Sequence, residues 1–514
     1  MSFLKDMEAV LNEDYNNSTT ENGAKGYRTT GTALLDFNFK VASYRSKSEY
    51  EIVKDFDKVL YEDKLTAMKF LFFIRDREEG LGERRLFRVI IKHLANTEPE
   101  LIKAVLPLVA EYGRYDDLLE LFDTPFEKVV IELFKEQIDN DATNFRNKKP
   151  VSLLAKWLPS INASNVNTIE RAKKIIKQWG ITEEFYRKTL SKLREYIDVT
   201  ERKMCSNEWD KIKYENVPSR ANLNYNNAFL RHDEARRREF LGQVEKGEKK
   251  IHAGKLYPHD IVHKYTNGRS YLSVNHDATL EQLWKALPQK EIANTLVVAD
   301  GSGSMTSTIG KTNVSALDVA NALAIYFAEH NVGEFNNTYI TFSENPQLVR
   351  FNKTDSLHDK IAKALAHDEV ANTNIEKVFG LILKTAINNH LSQEEMPKNI
   401  LIISDMEFDS CAVSGERTGW HYERPNKELF KVIEKYYAQY GYKIPKLIFW
   451  NVNSRTGTIP MKENDMGVAL VSGFSTNIAE MVMNDKLDPL EILLDKLNTP
   501  RYEKITKILQ KLLQ

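Results

Sequence analysis

At 514 residues the chain exceeds one ordinary hydrophobic core, so two or three domains are expected. A composition of 42% hydrophobic and 28% charged residues fits a globular protein, and a formal net charge of -1 excludes any partner argument from whole-chain electrostatics. No apolar stretch approaches the roughly 20 residues of a spanning helix, the first residues do not read as a signal sequence, and Cys205 and Cys411 make no disulfide or metal pattern. The expectation is a cytoplasmic monomer with no membrane partner.

Residues 1–30 are rich in Asn, Thr and Gly and read as a flexible leader. From 31 to 287 the pattern is helix after helix. The stretch "DFDKVLYEDKLTAMKFLFFIRD" carries apolar residues at helical spacing with one break near Glu62, and "ERRLFRVIIKHLAN", "PELIKAVLPLVAEYG" and "PFEKVVIELFKEQI" follow at short intervals. Helix pairs on short turns predict an all-α, HEAT-like irregular repeat domain.

From 288 to 485 the texture changes. "NTLVVAD", "NTYITFSE", "PQLVRF", "KNILIISDM" and "KLIFWNVN" read as strands, alternating with helical "SALDVANALAIYFAEH", "IEKVFGLILKTAINN" and "NKELFKVIEKYYAQY". Buried strands alternating with helices predict a doubly wound α/β domain. Residues 486–514 read as a helical tail.

Charge is uneven. Between 141 and 280 there are 27 Lys and Arg against 17 Asp and Glu, a local net of +10. Arg146, Lys148, Lys149, Lys156, Arg171, Lys173, Lys174, Lys177, Arg187, Lys188, Arg236 and Arg237 lie within it. Cations that neutralise phosphates release counterions and so supply sequence-independent affinity for a polyanion. Trp157, Trp179, Tyr186 and Tyr225 are candidates for base stacking, although aromatics at helical spacing are more often core. "RHDEARRREF" mixes acids with its arginines and also reads as an internally paired helix surface.

The stretch "LVVADGSGSMTS" places Asp300, Ser302 and Ser304 on the loop after an apolar strand, at the sheet edge where α/β folds bind ligands. A carboxylate with two hydroxyls is an all-oxygen set suited to a hard divalent cation. Thr373, just before a helix, and Asp405, at the end of another apolar strand, add oxygens from two further loops. The expected cofactor is Mg²⁺, with Mn²⁺ or Ca²⁺ as alternatives.

Asp-x-Ser-x-Ser followed by a Thr and an Asp on later loops resembles the metal-ion-dependent adhesion site (MIDAS) of von Willebrand factor A domains. That resemblance implies direct contact of Ser302, Ser304 and Thr373 with the metal, contact of Asp300 and Asp405 mainly through waters, and an open position for a partner's acidic group. A helical repeat domain with Arg-Asp and Gly-Arg-Tyr-Asp-Asp turns, joined to such a domain, resembles the TROVE-type module of the Ro ribonucleoprotein family and related families of unknown function. In that family the repeats close into a ring that holds small structured or misfolded RNA. It implies a non-enzymatic, RNA-binding ribonucleoprotein component, and it makes the cations named above, from Arg146 to Arg237, the candidate RNA contacts.

Catalytic sets are sparse. There is no phosphate-binding GxxxxGK[ST] and no HExxH. His259 and His263, four apart, share a face if helical and are expected to be structural rather than metal ligands. Asp405, Glu407 and Asp409 share a face only if the strand continues, an arrangement that would suit a metal-dependent nuclease. A protein-interaction adaptor without an RNA role is the other alternative.

Overall fold

The computed structural model describes residues 7, 15–20, 25–342, 346–367, 375–407, 433–459, 468–478 and 488–513. Contacts divide the chain into two compact units, one of residues 1–64 and 256–498, the other of residues 65–255 and 499–514.

The first unit is built on a six-stranded sheet. Its strands are β1 (Thr295–Asp300), β2 (Thr338–Phe342), β3 (Leu348–Arg350), β4 (Asn399–Ser404), β5 (Lys446–Asn451) and β6 (Val468–Ser472). Their order across the sheet is β6-β5-β4-β1-β2-β3, parallel except for β3, which pairs antiparallel with β2 at one edge. β1, β4 and β5 are buried at every residue, as a parallel sheet covered on both faces requires. The chain leaves β1 toward one edge and later returns to build β4, β5 and β6 on the other side. The switch point therefore lies between the carboxyl ends of β1 and β4, where doubly wound sheets open a crevice.

The helix Ala316–His330 packs on β1 and is buried almost all round, which explains why its sequence is apolar on every face. Its outer side is covered by the helix Pro258–Thr266. His263 and Thr266 of that helix meet the buried Asp318 carboxylate at 2.7 and 2.5 Å. His259 instead lies against Tyr257 and Phe474. The two histidines thus serve separate structural contacts.

Space divides the chain differently from the sequence. The stretch from 31 to 64 was expected in the helical domain, yet the helix Ala33–Lys40 packs beside β6. There the Asn451 amide donates to Phe39 O at 2.9 Å, and Ala42 N–H donates to Ser472 Oγ at 2.9 Å. An uncovered edge strand is a liability, and this helix protects it. Part of the expected leader is also built in: residues 17–19 pair antiparallel with 25–27, and Tyr27 bridges Ile459. Residues 256–287 belong with the sheet through the His263–Asp318 contact.

The second unit is helical, as the periodicity predicts, and the break expected near Glu62 falls at Asp63, where the helix Glu49–Glu62 of the first unit ends. Its centre is a buried charge network. Asp117 accepts from Arg75 Nε and Arg88 Nε at 2.7 Å each, while Asp116 accepts from Arg88 and Arg114. Gly113 is required beside it, because a Cβ there would stand 2.5 Å from Asp117 Oδ2. The tail helix Glu503–Leu513 packs on the helix Pro99–Val105. It is anchored by Arg501, which donates to both Asp76 oxygens at 2.9 and 3.0 Å. The expected tail of 486–514 is therefore divided: residues 499–514 belong to the helical unit, while the helix Pro489–Leu497 packs on β6 and the helix Ala33–Lys40.

Candidate functional site: two buried carboxylates at the switch point

β1 ends at Asp300 and β4 at Ser404, in register with Ala299 opposite Ile403. This pairing brings Asp300, 2% exposed, and Asp405, fully buried, to the same crevice. Asp300 Oδ1 accepts from the Ser302 N–H at 2.9 Å, which folds the loop back on its own carboxylate. Asp300 Oδ2 accepts from the Ser404 hydroxyl at 2.6 Å. Ser302 Oγ and Ser304 Oγ are 2.9 Å apart, and the Ser304 hydroxyl lies near enough to Asp405 to favour its ionised form. A chain of hydrogen bonds thus runs from Ser404 through Asp300 to the Ser302 backbone, with the paired Ser302 and Ser304 hydroxyls and Asp405 beside it. Of the five residues expected to share a metal, four lie on or beside this chain, and Thr373 lies outside the described residues.

Two acids this close, out of water, disfavour double ionisation. Burial and then the neighbouring Asp300 push Asp405 up to about 7. Asp405 Oδ1 accepts the Glu407 N–H at 3.1 Å, but the buried Oδ2 accepts no hydrogen bond among the described residues. Arg455 approaches that oxygen with Nη2 at 3.7 Å, an ion-pair distance too long for a hydrogen bond. A buried carboxylate oxygen without a donor, next to a second carboxylate and two hydroxyls, is what a hard divalent cation would satisfy. The donor set fits such an ion.

The backbone at the site is strained. Met406 sits between the two acids with φ of 62°, a region that non-glycine residues avoid at a cost of about 1–3 kcal/mol. Its N–H donates to Ser404 Oγ at 3.0 Å, and its side chain is buried in the core. This turn sends Asp405 toward the crevice and Glu407 toward the loop after β5. There Glu407 Oε1 accepts from Arg455 N, Thr456 N, Thr456 Oγ1 and Ser454 Oγ at 2.8–3.3 Å. Glu407 is committed to holding that loop, and Asp409 lies outside the described residues.

In the helical unit the expected RNA contacts separate into four groups. Arg146, Lys148, Lys149, Lys173, Lys177 and Arg187 are exposed. Lys156 and Arg171 are half-buried, over Trp157 and Phe122 respectively. Lys174 pairs with Asp123 and Glu127, and the exposed Lys188 with Glu184. Arg237 is not available to RNA, and Arg236 is largely engaged with the fold. Arg237 is 0% exposed, ringed by Tyr214, Phe229 and Phe240 and bonded to Asn222 and Asn226. Arg236 donates to the Trp209, Asp210 and Ile212 carbonyls and to Asp233. Arg237 is thus buried among rings and amides, and Arg236 commits both terminal nitrogens to carbonyls and Asp233 while its side chain stays 41% exposed. The stacking candidates are largely structural as well: Tyr186 is buried with its hydroxyl on Pro159 O, and Trp179 donates to Ile131 O.

Comparison with known proteins begins with the uncharacterized protein L728 of Acanthamoeba polyphaga mimivirus, which is 30% identical over 522 residues, 93% of this chain and 87% of the viral protein. The chain belongs to the family of that protein. Residues 294–504 match a domain of unknown function (DUF7788), and residues 164–296 match another (DUF2828). The first match encloses Asp300, Ser302, Ser304, Thr373 and Asp405 together. Among solved structures, the Ro (RSR) protein of Deinococcus radiodurans aligns over 90% of this chain and 95% of its own, with 13% identity and a TM-score of 0.36.

Three residues of the site lay outside the expected set. Ser404 directly precedes an expected ligand. Glu407 read as a loop acid or, on a continuing strand, as one of three carboxylates of a nuclease set, not as the anchor of the loop after β5. Arg455 had no motif around it, but the Ser-Arg-Thr-Gly run just past the apolar "KLIFWN" strand placed it on the same sheet edge as Asp300 and Asp405.

Proposed function

We propose that the sheet-bearing unit of this family member is a von Willebrand factor A domain whose Ser302, Ser304, Asp300 and Asp405, together with Thr373, hold a divalent cation, and that the helical unit binds RNA in the manner of Ro proteins. The convergence of Asp300 and Asp405 at the switch point carries the first half. The strand order, with its single antiparallel edge strand, supports the same reading. The cation supplies the positive charge that two buried carboxylates lack, and an outward position for an acidic group of a partner.

Charge supports the second half. The helical unit holds 40 Lys and Arg against 31 Asp and Glu, a net of +9, while the sheet-bearing unit carries 32 against 42, a net of -10. Six of the named cations, Arg146, Lys148, Lys149, Lys173, Lys177 and Arg187, present their charge to solvent. The role is binding rather than catalysis, since Glu407 is engaged with the loop at 454–456 and not turned to the paired acids.

Crosslinking followed by sequencing of the bound RNA, with affinity measured at several salt concentrations, tests the RNA reading. Salt-dependent retention of structured or single-stranded RNA is expected, and a purified protein that holds neither overturns it. Mg²⁺-dependent cleavage of RNA, abolished by Asp300→Ala, would replace binding with a nuclease role.

A further inference from the structure

We infer that Arg455 is the resident cation of the paired-acid site and competes with the divalent ion for Asp405, so that it sets how tightly that ion is held; the inference rests on the metal reading above. Asp405 Oδ2 is buried and accepts no hydrogen bond among the described residues, and the Arg455 guanidinium stands 3.7 Å away. One guanidinium offsets one of the two negative charges that Asp300 and Asp405 bring to the crevice. A divalent ion offsets both. Placed on the same carboxylates, the ion and the guanidinium repel each other at short range in a site of low dielectric.

The backbone of the loop is anchored independently of the Arg455 guanidinium. The Arg455 backbone N–H is fixed to Glu407 Oε1 at 2.8 Å, and Thr456 N–H to the same oxygen at 2.9 Å. The Arg455 side chain remains 36% exposed. Loading the metal would turn the guanidinium outward while its anchor stays in place. It would then stand at the rim beside the metal's outward position, a second cation for an acidic ligand group.

The test is Mn²⁺ titration of the full chain, read from the electron paramagnetic resonance signal of free Mn²⁺, with thermal melts in the presence of chelator and of excess Mn²⁺. Arg455→Gln is expected to bind Mn²⁺ about tenfold more tightly than wild type, the scale of one like charge removed at this distance. Arg455→Lys, which keeps the charge, stays near wild type. In chelator Arg455→Gln melts below wild type, and its gain on adding Mn²⁺ is the larger.

Equal or weaker Mn²⁺ binding by Arg455→Gln, with wild-type binding abolished by Asp405→Asn, overturns the inference and leaves the metal site standing. Absence of Mn²⁺ binding in every variant, or binding that Asp405→Asn leaves intact, overturns both.

Discussion

Ser404 on one strand donates its hydroxyl to Asp300 on the next at 2.6 Å, and both groups are buried. The same hydroxyl accepts the N–H of the strained Met406, so one small side chain orients the first acid and holds the turn that aims the second. Ser404→Ala leaves a buried carboxylate oxygen short of its donor. The expected loss is about 1–3 kcal/mol, the range for stranding a buried polar group, measured as a shift in the urea midpoint at unchanged slope. A loss below about 0.5 kcal/mol, within the range of ordinary surface substitutions, would show that Asp300 is held in place by other contacts.

Glu407 holds the loop after β5 by accepting two backbone N–H groups and two hydroxyls. Glu407→Ala removes the common acceptor and frees the segment that carries Arg455. The predicted consequence is local: trypsin cleaves after Arg455 in the native variant and spares it in wild type, because loop opening exposes the bond. Global stability should fall by about 2–3 kcal/mol, since hydrogen bonds to a charged group are each stronger than neutral ones but do not add. An unchanged cleavage pattern would mean that the loop is held from elsewhere.

Much of this is legible in the amino-acid sequence. Alternation of apolar strands with helices fixes a parallel sheet, and the ends of its strands are where ligand-binding residues gather. Asp300 and Asp405 could therefore be paired from sequence alone. The arginines show the limit. Arg236 and Arg237 stand in a run that looks like a solvated basic face, yet Arg237 lies inside an aromatic cage and Arg236 caps a set of carbonyls. Helical periodicity reports which face is apolar. It does not report that a guanidinium can be buried when rings and carbonyls satisfy it. The unit boundaries escaped for a related reason. Helical texture is the same on both sides of residue 64, and only the need of β6 for a cover assigns the helix Ala33–Lys40 to the sheet.

The buried network of the helical unit makes stability depend on acid. Burial acts to raise Asp116, but the hydrogen bonds and charges of Arg114 and Arg88 outweigh it and hold its carboxyl below the ordinary aspartate range. A carboxyl with a depressed pKa in the fold binds fewer protons there than in the unfolded chain. Its contribution is therefore fully present above the ordinary aspartate pKa of about 3.9 and is lost as pH falls toward and through the lower folded value. Asp116→Asn should cost a constant amount of stability between pH 5 and 7, roughly. The gap between variant and wild type should narrow below about pH 4. Denaturant melts at each pH provide the check, and a gap that persists into acid would mean that the loss is steric.

The exposed cations predict a salt signature that the buried ones do not share. Arg146, Lys148 and Lys149 lie at and just beyond the end of the helix Glu127–Arg146, beside Tyr196, whose hydroxyl donates to Lys149 O at 3.0 Å. If each neutralises one phosphate of a single strand, replacing all three with Gln lowers the slope of log affinity against log salt by about 2. The variant keeps the wild-type melting temperature, because none of the three charges is buried. Arg237→Gln behaves oppositely. It empties an aromatic cage and removes the donors to Asn222 and Asn226, so the fold loses about 3 kcal/mol or more, while the salt slope of whatever folded protein remains is unchanged. Equal salt slopes for wild type and the triple variant would place the RNA elsewhere on the unit, with Lys173, Lys177 and Arg187 the next set to replace.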